Sequence, residues 1–197
     1  NPLTLGVGSY RPKLEGLNFS VAPNGIVDVR KHDKWFCPVY VDAGPDGALY
    51  VCDWYDEQCN HLKHSEGQLH ANDGRLFRIR VREGRVLKQF DLSKLTVLEL
   101  LEHLKSSNRW WREEARRALW QHKDRKNALP TLEKWINDEK GQLALEGLWC
   151  RSLIDNLAIQ VFRKAVRSAN PHVRRWAIRL AVDNGDLTPA HLTEAVS

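Results

Sequence analysis

The side chains suited to metal binding or proton transfer gather in one polar stretch and comprise Asp53, His61, His64, His70 and Asp73. Carboxylates and imidazoles are ligands for divalent cations, and a neutral imidazole can accept a proton from a hydroxyl. We therefore predict a metal set of Asp53, His61, His70 and Asp73, with His61 also as an acid–base residue. The spacing matches no helical or CxxC zinc signature. A solvated loop whose Asp and Asn residues form turns explains the same residues, and both interpretations stay open.

Arg75 and Trp54 are the candidates for holding a cofactor, and Arg75 is also a candidate catalytic residue. The planar fork of an arginine suits an anionic cofactor or a buried carboxylate. The alternative role of Arg75 is an ion pair that pins the loop, with Asp53 as its partner. Trp54 could stack on a flat ring together with Tyr55, whereas such an aromatic pair can also close the edge of a sheet.

A predicted β-hairpin leads into this polar stretch. Two apolar runs, 38–43 and 48–53, flank Gly44-Pro45-Asp46-Gly47, whose residue types suit a tight turn. A third strand is predicted over 76–82, where arginines alternate with apolar side chains as in a half-buried sheet. A polar excursion between two strands is a place where rigid elements can position a site.

The rest of residues 1–91 is predicted to be antiparallel sheet as well. The segment FSVAPNGIVDV predicts a hairpin with its turn at Pro23-Asn24-Gly25, and residues 85–90 predict a closing strand. Repeated short hairpins are typical of propeller blades or a β-sandwich. Ninety residues are too few for a closed propeller, so this region corresponds to partial, propeller-like blades.

Residues 92–197 predict helices instead, because the apolar period changes from two to about 3.6. Thr96 with Glu99 forms a capping box, Asn108 caps a second helix, and helices follow over 128–137 and 142–153. A fifth starts at 155 or 156, Asn170-Pro171 starts a sixth, and Thr188-Pro189 starts a short last one. NRWWREEARRALWQ at 108–121 overlays NPHVRRWAIRLAVD at 170–183. The predicted fold class is therefore α+β: an antiparallel β region followed by an α-solenoid of HEAT-like helix pairs.

The four cysteines are too few for a disulfide scaffold. Pairs across the predicted hairpin sum to about 91, so Cys52 faces Val39 and a bridge to Cys37 is a stretched diagonal. A Cys52–Cys59 bridge is the competing pairing. Cys150 lies in an apolar helical pattern and is predicted to be a buried thiol. No CxxCH is present, so no c-type haem is expected here.

The net charge of +5 belongs entirely to residues 92–197, since basic and acidic residues are equal in number before that point. Ordinary pairing within a solvated helical surface explains it, with Arg112 and Arg116 on one face and Glu113 able to pair with Arg117. A basic face that binds nucleic acid is the less favoured interpretation of this charge. Its residues would be Arg109, Arg112, Arg116 and Arg117, beside Trp110 and Trp111. No apolar run is long enough to span a membrane. The absence of Met suggests a piece of a longer protein.

Several segments carry a resemblance to a known family. In the β region they are GPDGALYVCDWY, Asn60-His61 and GRLFRI at 74–79. In the helical region they are LLEHLKSSNRWWREEARRALW and PHVRRWAIRLA. Together they resemble the planctomycete-type membrane-bound dehydrogenases. These are similar to a glucose/sorbosone dehydrogenase β-propeller followed by HEAT-like repeats. The resemblance covers residues 36–185. One departure is Asp73, where the family usually has a histidine before the Gly-Arg pair.

The resemblance implies the C-terminal end of a quinoprotein-like sugar or polyol dehydrogenase with its helical extension, working in the periplasm. The cofactor implied for the parent protein is pyrroloquinoline quinone, with calcium as a possible companion. The resemblance includes Arg75, which favours that residue over the histidines. Most cofactor contacts would lie upstream of Asn1, so we expect the fragment alone to be inactive and to need missing blades or a partner chain.

Two other functions remain open at this stage. In the first, the helical repeats form a non-enzymatic scaffold that binds a protein partner, and the sheet only covers their end. In the second, which we favour less, the basic helices bind nucleic acid.

Overall fold

The computed structural model describes residues 7–15, 18–27, 33, 35–55, 72–84, 86–186, 188–189 and 193. The chain divides into two compact units, Asn1–Leu87 and Lys88–Ser197. The described part of the first unit contains two antiparallel sheets, and the described part of the second contains six α-helices. The protein is therefore a mixed α and β chain. Its described residues form neither a closed barrel nor a propeller.

Strands β1 (Val7–Glu15) and β2 (Asn18–Val27) form a two-stranded antiparallel sheet. The predicted turn at Pro23-Asn24-Gly25 is wrong, because β2 continues through it. Ser9 lies opposite Gly25 and Tyr10 opposite Pro23, so Asn24 is the extra residue of a β-bulge. A bulge interrupts the ladder of hydrogen bonds, which is where a proline without an N–H is tolerated.

Strands β3 (Pro38–Ala43), β4 (Leu49–Asp53) and β5 (Arg75–Ile79) form the second sheet in the order β3-β4-β5. The predicted Gly44–Gly47 turn is confirmed. The Gly44 N–H donates to the Ala48 carbonyl at 2.8 Å, and Gly47 takes a φ of +77° that favours glycine. Phe36 and Val51 are fully buried, with Phe77 and Ile79 packed against their cluster.

The register of this hairpin differs from the predicted one by one residue. Ala43 already pairs with Leu49 beside the turn, and this register places Cys52 opposite Tyr40 instead of Val39. A bulge between Pro38 and Tyr40 changes the register only beyond that pair. The third strand is also shorter than predicted, since β5 ends at Ile79. The predicted strand over 85–90 is not formed: residues 86–90 are in no strand, and no neighbouring strand in the described part pairs with them.

The helices of the second unit are α1 (Val97–His103), α2 (Arg109–Gln121), α3 (Leu129–Asp138), α4 (Gln142–Asp155), α5 (Ile159–Val166) and α6 (Pro171–Asp183). The capping box of Thr96 and Glu99 is present, as predicted. The fifth helix begins later than predicted, because Asn156 has a φ of +50° and ends α4. The predicted last helix after Thr188 lies mostly outside the described residues.

The predicted repeat is visible in matching contacts at the starts of α2 and α6. Asn108 and Asn170 each accept the N–H of the residue two positions on, at 2.9 Å. Arg112 donates to the carbonyls of the two residues that precede Asn108, and Arg174 does the same before Asn170. Each arginine thus satisfies two carbonyls of the loop that joins the helices of a pair.

The helices pack as consecutive pairs, α1 with α2, α3 with α4, and α5 with α6. Contacts between pairs join α2 to α4, α4 to α6, and α3 to α5. Two adjacent buried clusters fill the interior, one containing Leu100, Leu119 and Leu132 and the other Leu148 and Phe162. As a result α2, α4 and α6 lie side by side as one row. No helix in the described ranges is long and apolar enough to cross a bilayer.

Candidate functional site

The first candidate site is the cluster around Arg75, which the register of the second sheet brings together. Asp53 at the end of β4 lies directly opposite Arg75 at the start of β5. The Asp53 side chain is fully buried, and its Oδ2 accepts a hydrogen bond from Arg75 Nε at 2.6 Å. Arg75 Nη2 lies 2.5 Å from the same oxygen as an ion-pair contact without hydrogen-bond alignment. The two residues therefore join the ends of the polar excursion.

A second carboxylate, that of Asp33, contacts the same arginine. Asp33 Oδ2 lies 2.5 Å from Arg75 Nη1, and the guanidinium sits 4.0 Å from the centre of the Tyr55 ring. Burial disfavours the charged forms, but the hydrogen bonds and opposite charges outweigh it. They raise the pKa of Arg75 and lower the pKa of Asp33. Tyr55 is held with a φ of +56°, a conformation uncommon for a bulky residue.

The other oxygen of Asp53 is also occupied. Asp53 Oδ1 accepts the backbone N–H groups of Cys37 at 2.6 Å and Tyr55 at 3.1 Å. The pairing of Arg75 with Asp53, predicted as its alternative role, is present. One guanidinium faces two carboxylates, so the local charge is negative and does not attract an anion. This arrangement does not fit the binding of an anionic cofactor by Arg75.

Arg75 and Asp53 are the predicted site residues that the described part of the structure brings into this cluster. His61, His64 and His70 lie outside the described residues. Asp73 is exposed. Trp54 is about half exposed, and its backbone N–H donates to the Cys37 carbonyl at 2.9 Å. The described residues contain no group of three potential metal ligands. The metal set and the acid–base role of His61 stay predictions.

Both predicted cysteine pairings are wrong, because each of them uses Cys52. Cys52 is an exposed free thiol, and Cys37 is bonded in a disulfide. The hairpin pairs Ala43 with Leu49 beside the turn, and this register puts Cys52 opposite Tyr40. Cys150 is a buried free thiol, as predicted, and burial together with the charge of Glu146 raises its pKa to about 12.

The second candidate site is a groove of about 670 Å³ across the row formed by α2, α4 and α6. Its volume falls in the range of ordinary ligand sites. Glu146 of α4 lies at its base and is only 2% exposed. The carboxylate accepts hydrogen bonds from Arg112 Nε at 3.1 Å, Arg116 Nη1 at 2.8 Å and Gln142 Nε2 at 2.8 Å. This part of the groove, which we term the basic end, holds two arginines against one buried carboxylate.

Aromatic side chains line the rest of the groove. The rings of Trp149 and Trp176 pack edge to face with centroids 5.2 Å apart, and the Arg116 guanidinium lies 5.2 Å from the Trp149 ring. The Trp149 indole N–H is buried and finds no acceptor among the described residues. Leu153 and Leu180 complete what we term the apolar end, with Leu153 half exposed.

The sequence analysis predicts the arginine face of this groove but not the groove itself or its buried carboxylate. Arg112 and Arg116 share a face as predicted, and that face binds Glu146. The predicted Glu113–Arg117 pair is wrong, because Glu113 pairs with Arg109 and Arg117 pairs with Glu114. Glu146 was missed, although a lone carboxylate within the apolar run LALEGLWC is the signal that could have revealed it.

The comparisons with known proteins add one match. A family model described as "Domain of unknown function (DUF7133)" matches residues 28–86, which is less than a third of the chain. The match lies within the first unit and includes the hairpin, the polar excursion and Arg75. No curated protein matches the chain, and no solved structure does.

Proposed function

We propose that the helical unit is a protein-interaction scaffold and that the groove across α2, α4 and α6 is its binding surface. The observation that carries the proposal is the buried Glu146 with its two arginines beneath an open groove. Buried ion pairs contribute little net stability compared with apolar packing, so their presence beneath a surface groove favours a role in recognition. The stacking of consecutive helix pairs supports the HEAT-like, solenoid interpretation of this unit.

Selection from a random 12-residue peptide library tests this function. The selected pool should bind the wild-type chain and lose binding to Leu153→Arg, which places a charge at the half-exposed apolar end of the groove. Leu98→Arg is the matched control, because Leu98 is exposed on α1 and does not line this groove. Failure to select any peptide, or equal loss with both variants, would remove the groove as a binding surface.

A second candidate function is the one implied by the resemblance, the end of a quinoprotein-like sugar or polyol dehydrogenase outside the cytoplasm. The stretch that carries the propeller-like part of this resemblance lies within the family match, whose description gives no function. The disulfide at Cys37 is consistent with an oxidising compartment such as the periplasm. Because Arg75 is already paired with Asp33 and Asp53, the anionic quinone would have to be held by other residues.

Reduction of a dye by the full-length protein tests the dehydrogenase proposal. With added pyrroloquinoline quinone, calcium and a range of sugars, the full-length protein should reduce the dye, whereas residues 1–197 alone should not. A matched preparation without the quinone is the control. Absence of quinone-dependent reduction by the full-length protein across the sugars and polyols would contradict this second candidate.

A further inference from the structure

We propose that the groove binds an extended protein segment in which an acidic side chain stands next to bulky apolar side chains. The inference rests on the proposed scaffold function and names the chemistry of the partner. It combines two observations on the groove: surplus positive charge at one end, and apolar and aromatic side chains that line the other.

The charge at the basic end is unbalanced. Arg112 and Arg116 share Glu146, while Arg109 is matched by Glu113. One positive charge is therefore left over among the groove's ionised side chains. Arg116 uses only Nη1 in the hydrogen bonds found among described residues, and its side chain is 22% exposed, so further N–H donors are available to a carboxylate.

A surplus of one charge favours a peptide over nucleic acid. Duplex DNA carries one negative charge per roughly 1.7 Å, and binding it requires several unpaired cations along the surface. Here two carboxylates, Glu113 and Glu146, lie among the groove residues and would repel a phosphate chain. A single Asp or Glu side chain matches the available charge.

The apolar end of the groove indicates which side chains lie next to the acidic side chain of the partner. Trp149 and Trp176 form an aromatic wall, and the half-exposed Leu153 lies beside it. Burying such surface against leucine-sized side chains is favourable, and tryptophan and arginine are the residue types that dominate protein interfaces.

Three fluorescein-labelled peptides with amidated C-termini test the inference. Their centres read Glu-Leu-Leu-Glu, Gln-Leu-Leu-Gln and Lys-Leu-Leu-Lys between Gly-Ser spacers, and anisotropy gives each Kd. Amidation ensures that any carboxylate comes from a side chain. Because hydrogen bonds to charged groups contribute more than neutral ones, we expect the Glu peptide to bind about tenfold tighter than the Gln peptide. The Lys peptide should bind weakest.

Two variants identify the basic end as the source of that preference. Arg116→Gln should reduce the Glu-to-Gln preference to near one. Arg175→Gln is its control, since Arg175 is exposed on α6, does not line the groove and carries the same charge. Glu146→Gln removes the competing carboxylate and should strengthen binding of the Glu peptide. Circular dichroism checks that each variant is folded.

The possible outcomes distinguish failure of this inference from failure of the proposed scaffold function. Equal affinity for all three peptides, with binding still lost in Leu153→Arg, would overturn the inference and leave the scaffold. Failure of every peptide, in this assay and in the library selection, would overturn both. Preferential binding of a 20-base-pair DNA duplex that is lost in Arg116→Gln would also overturn the inference and assign the groove to nucleic acid.

Discussion

At the scale of single residues, Asp53 and Glu146 are the carboxylates classed as buried in the described part of the chain, and they serve different purposes. Asp53 accepts hydrogen bonds from two backbone N–H groups and from Arg75, so it fixes the backbone around the end of β4. Glu146 accepts only side-chain donors, two of them partly exposed arginines. The hydrogen bonds of Asp53 stabilise the backbone around it, whereas those of Glu146 leave its arginine partners accessible to a ligand.

Removing Glu146 should destabilise the helical unit. Glu146→Ala leaves Arg112 and Arg116 facing each other without a carboxylate, and we expect a loss of about 2–4 kcal/mol, because both arginines can recover some hydration. Glu146→Gln retains an acceptor oxygen and should lose about 1–2 kcal/mol. Urea unfolding followed by circular dichroism measures both. Equal stability of Glu146→Ala and the wild type would show that the cluster is not coupled to folding.

The cysteines should react with alkylating reagents in a fixed order. Cys52 is an exposed thiol, whereas Cys150 is buried with a pKa of about 12, so at pH 8 only about one Cys150 side chain in 10⁴ is ionised. Iodoacetamide should modify Cys52 in the folded protein, Cys150 after unfolding, and Cys37 only after reduction. Peptide mass spectrometry reads out each site. Modification of Cys150 in the native protein at the rate of Cys52 would contradict the structure.

At the scale of secondary-structure elements, the pairing of α3 with α4 depends on a glycine. A Cβ added at Gly147 would lie 2.9 Å from the Leu132 carbonyl oxygen and 3.1 Å from the Trp135 Cβ. The obstacle is backbone of the facing helix, which cannot rotate away. The close approach of these helices therefore requires the absence of a side chain at this position.

Gly147→Ala should consequently destabilise the helical unit although alanine is the better helix former. We expect a net loss of about 1–3 kcal/mol from overpacking. Asn137→Ala, at an exposed position on α3, is the control for helix propensity alone and should be neutral or slightly stabilising. Thermal unfolding followed at 222 nm compares the two. A rise in Tm for Gly147→Ala would indicate that α3 and α4 can separate without cost.

Local sequence signals predict most of the secondary-structure elements but do not predict the contacts of either candidate site. The Gly44–Gly47 turn, the Thr96 capping box and the Asn-Pro start at Asn170 are each encoded within a few residues, and each is found in the structure. The pairing next to the β3–β4 turn and the bulge in β2 are not encoded in this way, so the predicted register of the hairpin and the predicted path of β2 are wrong.

The contacts that define both candidate sites join residues far apart in the chain. Asp33 and Arg75 are separated by 42 positions, and Arg112 and Glu146 by 34. Local patterns do not report on such pairs. The ion pair of Arg75 with Asp53 was predictable as an alternative only because both residues flank one excursion between neighbouring strands. The groove required knowledge of which helices lie side by side.

At the scale of the whole molecule, the two units divide the functional interpretations between them. The family match and the propeller-like part of the resemblance concern the first unit, where Arg75 is already paired with two aspartates. The surplus positive charge of the sequence lies in the second unit, beside an open groove. We therefore propose that α2, α4 and α6 bind the protein partner and that Arg75 has a structural role.

The tryptophan indole N–H signals in a ¹⁵N NMR spectrum give the most direct test of that assignment. The chain has eight tryptophans, and Trp→Phe variants at 54, 149 and 176 identify the relevant signals. During titration with the Glu-Leu-Leu-Glu peptide, the signals of Trp149 and Trp176 should shift, while that of Trp54 on the first unit should stay. A shift confined to Trp54, or no shift at any of the three at saturating peptide, would contradict the account.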